Sequence, residues 1–195
     1  MTHHREDVVI HALDVLDRYG LADLSMRRLA TELQVRPSAI YHHFAGKQHL
    51  LAALADELLE RGRRGRRTGA WRADATEICA ELRDAMLAYR DGADLVATVH
   101  AFGLGAARPG RELSEALSSS GLDAEGIRVA TRTLLHFVFG HTAEEQANLQ
   151  AASVGAISDE VRPDSDSDFA FGLGLVLDGI EQRAGAGVRW IRATR

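Results

Sequence analysis

Apolar residues recur at three- and four-residue spacing along almost the whole chain, and this periodicity predicts α-helices. The chain contains only three prolines, and each stands where a helix is expected to begin or end. The sequence contains no stretch in which apolar and polar residues alternate as they do in a β-hairpin. We therefore predict an all-α fold. Short helices are expected after Ser25, from Pro37 and over residues 92–101. The other expected helices cover residues 6–19, 47–60, 74–90, 111–118, 123–150 and 168–191.

The composition excludes several classes of protein. Hydrophobic residues make up 46% of the chain and charged residues 26%, which is typical of a globular domain. No run of about 18 apolar residues could cross a membrane, and the N-terminal MTHHREDVV lacks the apolar core of a secretion signal. A single cysteine, Cys79, cannot form an intramolecular disulfide or a cysteine-based metal site. We expect a cytoplasmic protein with no cofactor, no metal and no membrane partner.

Charge is distributed unevenly along a chain whose net charge is −5. The run RGRRGRR at residues 61–67 has five arginines in seven positions, whereas residues 159–168 contain five acids and one arginine. A chain of negative net charge can still bind nucleic acid where its positive charge is concentrated. The arginine run is either a solvated helix end and linker or a direct DNA contact. Its position predicts two domains, residues 1–62 and residues 63–195.

The segment LSMRRLATELQVRPSAIYHHFAGKQHLLAAL, residues 24–54, has the pattern of a helix-turn-helix motif. Two short helices flank the four-residue turn Gln34–Pro37. Apolar anchors inside such a motif hold the helices at a steep angle, so that the second helix can enter the major groove of DNA. The expected anchors are Leu29, Ala30, Leu33, Val35, Ile40 and Phe44.

This segment resembles the TetR family of transcriptional regulators over roughly residues 6–60. The residues that carry the resemblance are Gly20, Leu24–Ala30, Ile40–Phe44, Lys47 and Leu50-Leu51. The resemblance implies a DNA-binding domain followed by a helical domain that binds an effector and dimerises. The implied function is a ligand-responsive regulator, a repressor that a small organic effector releases from a double-stranded DNA operator, acting as a homodimer.

Nine residues of the motif are expected to contact DNA. Arginine can bind a phosphate or donate two hydrogen bonds to guanine. Lys47 is the only lysine of the chain and opens the next helix, where the helix dipole also favours a phosphate. The nine are Arg27, Arg28, Arg36, Ser38, Ala39, Tyr41, His42, His43 and Lys47. For His42 and His43 a solvated pair or a metal site is the alternative, and Tyr41 is alternatively part of the core.

Residues 74–191 are expected to bind the effector and to dimerise. The resemblance continues here in Tyr89–Ala93 and His136–Gln146, and it implies that residues 123–150 and 168–191 pair with their copies in a four-helix bundle. The last helix is apolar on nearly all sides, and its glycines would allow close helix approach. A helix buried within a single chain is the alternative.

Eleven residues are candidates to line the effector pocket, because they combine apolar surface with a few polar groups. They are Leu82, Met86, Tyr89, Val96, Val99, His100, Phe102, Leu117, Phe137, His141 and Glu144. His141 and Glu144 are three residues apart on one helix, where they could hold a ligand or a metal, or simply pair within the core. In the family's tetracycline-binding members, a histidine, a threonine and a glutamate hold a magnesium–drug chelate. The resemblance places these at Val96, Val99 and Glu144, so tetracycline is not the expected effector.

Two other functions fit an all-α chain. One is a helical-bundle enzyme that uses His100, His141 and Glu144. No nucleophile motif, phosphate-binding glycine loop or HExxH sequence accompanies these residues, so we do not expect an enzyme. The other is a protein-binding adaptor with the arginine run as its docking patch. Binding to the DNA next to its own gene would distinguish a regulator from both.

Overall fold

The computed structural model describes residues 4–65, 67–156 and 165–186. Within these ranges the chain forms α-helices and no β-strand, which confirms the predicted all-α fold. The helices are α1 (Arg5–Asp23), α2 (Met26–Glu32), α3 (Pro37–His43), α4 (Lys47–Arg61), α5 (Trp71–Leu87), α6 (Gly92–Ala101), α7 (Arg108–Leu117), α8 (Ala124–Ser153) and α9 (Ser165–Gly185).

Local sequence signals set several helix starts. The Ser25 side chain accepts a hydrogen bond from the Arg28 N–H at 3.1 Å and caps α2. Asp123 caps α8 by accepting from the Gly126 N–H at 2.8 Å. Pro37 occupies the first turn of α3, where its missing N–H costs no hydrogen bond. These caps satisfy backbone groups that a helix end would otherwise leave unpaired.

Some helix ends differ from the prediction. The helix predicted over residues 111–118 begins earlier, at Arg108, because Pro109 fits the first turn of a helix. α5 begins at Trp71 and ends at Leu87, earlier than expected. The predicted end of the last helix at Ile191, and most of the acidic stretch at residues 159–168, lie outside the described residues.

The described chain packs into two compact units. The first combines residues of the range 1–63 with residues 83–107, and the second combines 64–82 with residues of the range 108–195. The last turn of α5 and all of α6 therefore pack with the first four helices. The functional division at residue 62 stays a prediction.

Leucine dominates the core of the first unit. In it α1 packs on α2 and α4, α2 packs on α3, and α4 packs on α6. Fully buried side chains include Leu13, Leu16, Leu24, Leu29, Ile40, Leu50, Leu54, Leu58 and Leu95. Each such side chain contributes about 1.5–3 kcal/mol by leaving water.

The second unit is built on α8, which packs against α7 and α9. Its core includes Leu113, Leu117, Leu134, Val138, Leu173 and Leu177. The alternative that the last helix is buried within a single chain does not hold, because Phe171 is 71% exposed and Leu175 is 59% exposed. Within the described residues, no helix combines the length and the apolar character that crossing a membrane requires.

α1 breaks at Gly20, whose φ of +80° lies in the region that favours glycine. The break frees the Leu21 N–H, which donates to the Asp91 Oδ2 at 2.8 Å. A Cβ on residue 20 would lie only 2.6 Å from the same Oδ2 atom. The backbone conformation and the close approach therefore both require glycine here.

We expect Gly20→Ala to lower the free energy of unfolding by about 2 kcal/mol, because it adds backbone strain and displaces the Asp91 carboxylate. Gly46→Ala is the matched control: Gly46 has an extended φ of 176°, and a methyl group added there would meet no atom within 4 Å. Urea unfolding of both variants checks this. Equal midpoints for the two variants would contradict the role given to Gly20.

Candidate functional site

The helix-turn-helix motif is formed by α2 and α3. Between them, Gln34 adopts a left-handed φ of 55°, and the Val35 N–H donates to the Ala30 carbonyl at 2.9 Å. Leu29, Ile40 and Phe44 are buried and anchor the motif from inside. The opposite face of α3 is therefore free to meet a groove in DNA.

None of the nine residues expected to contact DNA is buried. Tyr41 is 52% exposed, so its ring is not a core group. Arg27, Arg36, Ser38 and His42 are exposed, and Arg28, Ala39, His43 and Lys47 are half-buried. Their contacts with DNA stay a prediction, and their exposure is what that prediction requires.

Arg28 differs from Arg27 because its guanidinium is held within the protein. It lies 4.4 Å from the centroid of the Tyr19 ring and 3.5 Å from the Asp23 carboxylate. A phosphate would have to compete with both contacts. Arg27 is therefore the stronger candidate of the two for a base or phosphate contact.

Arg5 is a positive group near α3 that the sequence pattern did not single out. Its guanidinium lies 4.8 Å from the centroid of the Phe44 ring, directly after the end of α3. A cation over an aromatic face is attracted by the ring. The two residues are distant in sequence, so no local pattern connects them.

Lys47 lies in the first turn of α4, after Gly46, which has no side chain to cap the helix. The N-terminus of this 15-residue helix points free N–H groups and the positive end of its dipole toward solvent. The ammonium group adds a full charge to this field. The geometry suits a phosphate contact.

Three arginines of the run, Arg61, Arg63 and Arg67, have side chains that contact carboxylates of the same chain. Arg61 donates to Glu57 at 2.8 Å, and Arg63 lies 3.8 Å from Glu60. Arg67 donates to Glu81 at 2.8 and 3.2 Å and to Glu112 at 2.8 Å. These contacts favour the interpretation of the run as a helix end and linker. Arg66 lies outside the described residues.

Glu81 is 4% exposed, so its pairing with Arg67 is partly desolvated. The hydrogen bonds to Glu81 raise the pKa of Arg67 above its ordinary value, and a further bond to Glu112 acts in the same direction. The Arg64 N–H also donates to Glu81, at 3.0 Å. The segment after α4 is thus held to α5 and α7 by ion pairs rather than left free.

The effector-pocket candidates divide between the two units. In the first unit, Met86, Val96 and Val99 are buried, Tyr89 and His100 are half-buried, and Phe102 is 64% exposed. In the second unit, Leu82 and Leu117 are buried, Phe137 and His141 are half-buried, and Glu144 is exposed. Their role as ligand contacts stays a prediction.

Two polar candidates of the first unit have partners within the protein. The Tyr89 hydroxyl accepts a hydrogen bond from Arg61 at 3.2 Å. His100 Nδ1 lies 3.3 Å from the Ala106 carbonyl oxygen. Both side chains therefore contribute to the packing of the protein itself.

Phe137 and His141 form the packing of α8 on α9. Their ring centroids are 5.8 Å apart, and each ring lies within 5.5 Å of the Phe169 ring. Phe137 also fills the space beside Gly172, where a Cβ would lie 2.8 Å from the ring. These two side chains therefore join two helices of the second unit.

The sequence leaves open whether His141 pairs with Glu144, and the carboxylate contact that the structure shows for His141 is with Glu145. His141 Nε2 lies 4.0 Å from the Glu145 carboxylate, and Glu145 is buried while Glu144 is exposed. Residues three and four apart are both neighbours on a helix, so the sequence alone does not select between them. Among the described residues, no three His, Cys, Asp or Glu side chains are grouped as metal ligands would be.

α8 and α9 also form an open, mainly apolar groove of about 340 Å³. The exposed Leu175 lies in it. Its lining residues are Leu122, Gly126, Val129, Ala130, Thr133, Leu175, Val176, Gly179, Ile180 and Arg183.

The second helix of the motif, α3, is exposed and has positive groups around it, and a mainly helical second unit follows. These features define the class of DNA-binding transcriptional regulators. Two family models match the chain. Residues 11–54 match the bacterial regulatory proteins of the TetR family, and residues 65–163 match the tetracycline repressor-like C-terminal domain. The chain belongs to the TetR family, and it is a ligand-responsive regulator.

Known relatives span nearly the whole chain. The class A tetracycline repressor protein from transposon 1721 of Escherichia coli is 32% identical over 94% of this chain and 93% of its own length. The crystal structure of Mycobacterium smegmatis BioQ is similar with a TM-score of 0.86 and 41% identity, covering 92% of this chain and 98% of that one. BioQ bound to its natural double-stranded DNA operator is similar with a TM-score of 0.79 and 39% identity, with the same coverage.

We expect Lys47→Ala to weaken binding to all DNA sequences alike and to lower the slope of log K against log salt by about one, because one phosphate contact is lost. Arg63→Ala removes the same charge from a residue that pairs with Glu60, and it should leave the slope unchanged. Fluorescence anisotropy over a salt series checks both variants. A slope for Lys47→Ala equal to that of Arg63→Ala would remove the phosphate role of Lys47.

Proposed function

We propose that this protein is a repressor that binds a palindromic operator as a homodimer and leaves it when a small organic effector binds. The exposed face of α3, with Ser38, Tyr41 and His42, carries this proposal. A buried face would have no access to base edges in the major groove. A repressor acts where its operator DNA is, so we place the protein's action in the cytoplasm.

Dimerisation through α8 and α9 is supported by the apolar surface that the single chain leaves open. Phe171 and Leu175 are large, apolar and mostly exposed, and Leu175 lies in the groove between the two helices. Exposed apolar surface of this kind marks protein–protein contacts. A two-fold dimer also provides the two recognition helices that half-sites about 34–36 Å apart require.

Release would follow from a shift between two conformations of the dimer. α6 packs on α4 within the first unit, and the Ala106 N–H after α6 donates to Asp56 of α4 at 2.8 Å. An effector that displaces α6 would therefore displace α4 as well. This would change the separation of the two recognition helices and weaken operator binding.

The effector is proposed to be a mainly apolar organic molecule rather than a magnesium–tetracycline chelate. Val96 is fully buried and Val99 is 1% exposed, and neither side chain has an atom that could bind a metal or donate a hydrogen bond. A magnesium chelate needs hard oxygen ligands or imidazole. Two of the three positions that would supply them are valines.

A gel shift with the promoter region next to its own gene tests the regulatory function. A regulator retards this DNA at a lower protein concentration than it retards an unrelated fragment of equal length. Equal retardation of both fragments would leave only sequence-independent binding and would contradict the proposal. An enzyme or a protein-binding adaptor would retard neither fragment.

We expect the parent chain to be a dimer at micromolar concentration and Leu175→Arg to be monomeric or aggregated, because an unpaired charge buried in the seam costs about 3–5 kcal/mol. Ile10→Arg is the matched control, since Ile10 is an exposed apolar residue of the first unit. Multi-angle light scattering reports the mass of each variant. A monomeric parent, or dissociation by Ile10→Arg alone, would refute the α8–α9 seam.

We expect magnesium with tetracycline to leave the operator complex intact at micromolar concentration, because the ligand positions cannot complete the chelate. Titrating the operator complex with tetracycline, with and without magnesium, checks this by anisotropy. A parallel titration with a set of hydrophobic metabolites provides the positive arm. Release that depends on magnesium would show that other residues hold the ion.

A further inference from the structure

The segment that follows α4 is where the chain passes from the first compact unit to the second. α4 and Arg63 belong to the first unit, and Arg64 is the first residue of the second. The recognition helix α3 lies in the first unit, whereas α8 and α9, which form the proposed dimer seam, lie in the second. In a two-fold dimer, the position of Arg64 relative to α8 therefore contributes to the separation of the two recognition helices.

Backbone groups of this segment are bonded to α5. The Arg64 N–H donates to Glu81 Oε1 at 3.0 Å. Further along, the N–H groups of Thr68 and Gly69 donate to the Asp74 carboxylate at 2.6 and 2.9 Å. Both ends of the segment are thus attached to one helix.

The Arg67 side chain joins this segment to two helices at once. Its guanidinium donates to both carboxylate oxygens of Glu81 on α5, at 3.2 and 2.8 Å, and to Glu112 Oε2 on α7 at 2.8 Å. Arg108, at the start of α7, donates to the other oxygen of Glu112 at 3.1 Å. A planar guanidinium offers several donors in fixed directions, which a lysine ammonium does not.

This network is better shielded from water than the ion pairs on the surface. The Glu81 side chain is 4% exposed and that of Arg67 is 29% exposed. In the Arg63–Glu60 pair of the same run, the side chains are 58% and 60% exposed. An exposed pair contributes little and rearranges easily, whereas breaking a buried pair leaves a charge without compensation. Arg67 is therefore held in one position.

The bond to α7 extends the network to the helices of the proposed seam. α7 packs on α8, and its Leu113 and Leu117 are fully buried. Contacts therefore run from α8 through α7, Glu112 and Arg67 to the segment that precedes α5. A flexible linker of about nine residues has a root-mean-square length of about 15–18 Å. Such a linker would vary by several times the rise of one base pair, which is about 3.4 Å.

We propose that Arg67 is a positioning residue for operator recognition. Through Glu81 and Glu112 it fixes the point at which the chain leaves α4, so that the dimer accepts one separation of the two half-sites. Arg67 itself touches no DNA in this role. The proposal rests on the dimeric regulator proposed above and specifies what sets the spacing of its operator.

The test uses the operator fragment defined by footprinting next to the protein's own gene. In two derivatives, one base pair is inserted or removed between the half-sites, which changes their separation by about 3.4 Å and their relative rotation by about 35°. Fluorescence anisotropy with the full chain should show at least about tenfold weaker binding of both derivatives by the parent, because the two recognition helices no longer engage together. Equal binding of all three fragments by the parent would overturn the proposal.

Glu112→Ala cuts the bond to α7 and leaves Arg67 paired with Glu81. This variant should bind both derivatives within about threefold of the operator, because a looser dimer reaches each spacing. Glu115→Ala makes the same change at an exposed residue of the same helix and should discriminate like the parent. Equal discrimination by the two variants would overturn the positioning role.

Arg67→Lys tests the arginine itself and keeps a positive charge beside Glu81. An ammonium group cannot reproduce the donor fork that reaches both carboxylates, so this variant should also lose the discrimination. Retained discrimination would overturn the role of the fork. A fragment with a single half-site should bind the parent, Glu112→Ala and Arg67→Lys equally, because α3 is unchanged. Weaker binding of this fragment by the variants would indicate damage to the first unit and would also count against a positioning role.

The same titrations distinguish this proposal from the regulatory function on which it rests. A parent that binds no operator fragment more tightly than unrelated DNA would refute the regulatory function. A parent that binds the operator specifically and tolerates both derivatives would refute the role of Arg67 and leave the regulatory function intact.

Discussion

The hydrogen bond from the Leu21 N–H to the Asp91 carboxylate joins α1 to the segment that carries α6. It exists because α1 breaks at Gly20 and frees a backbone donor. A second bond runs from the Arg90 N–H to Asp17, at 3.2 Å. With these contacts residues 83–107 become part of the first compact unit. A close-packed unit transmits displacement between its parts. A displacement of α6 is therefore expected to displace the helix-turn-helix motif of the same unit.

The second constraint is electrostatic. A chain of net charge −5 must concentrate its positive field where it meets DNA. Arg61, Arg63 and Arg67 are compensated by carboxylates of the same chain, although they form the most basic run in the sequence. The positive groups that we predict to face DNA lie around α2, α3 and the start of α4, and they include Arg27 and Lys47. On this prediction, the position of an arginine on an exposed helix is a better guide to the DNA-facing surface than the number of arginines in a stretch of sequence.

Sequence patterns predicted what local chemistry determines. The cap at Ser25, the helix start at Pro37 and the helix-turn-helix motif all depend on residues a few positions apart, and the structure confirms them. The earlier start of α7, the Arg5–Phe44 contact and the pairing of His141 with Glu145 depend on which face of a helix meets its neighbours, and residue spacing does not specify that face. The burial of four polar residues on α8, Thr131, Thr142, Glu145 and Gln146, was missed for the same reason. Threonine and glutamine are also common on exposed helix surfaces. Only the structure shows that these residues of α8 are buried on the same helix as leucines.

Lys47 has a consequence for handling the protein as a sensor. It is the only lysine of the chain, so amine-reactive tethers attach to the surface predicted to face DNA or to the terminal α-amine. Thiol chemistry offers no substitute: Cys79 is fully buried, and burial raises the pKa of its thiol to about 12, which leaves almost no nucleophilic thiolate at neutral pH. Attaching the protein to a surface without blocking the operator therefore requires an attachment point away from α4. A cysteine introduced on an exposed helix of the second unit would provide one.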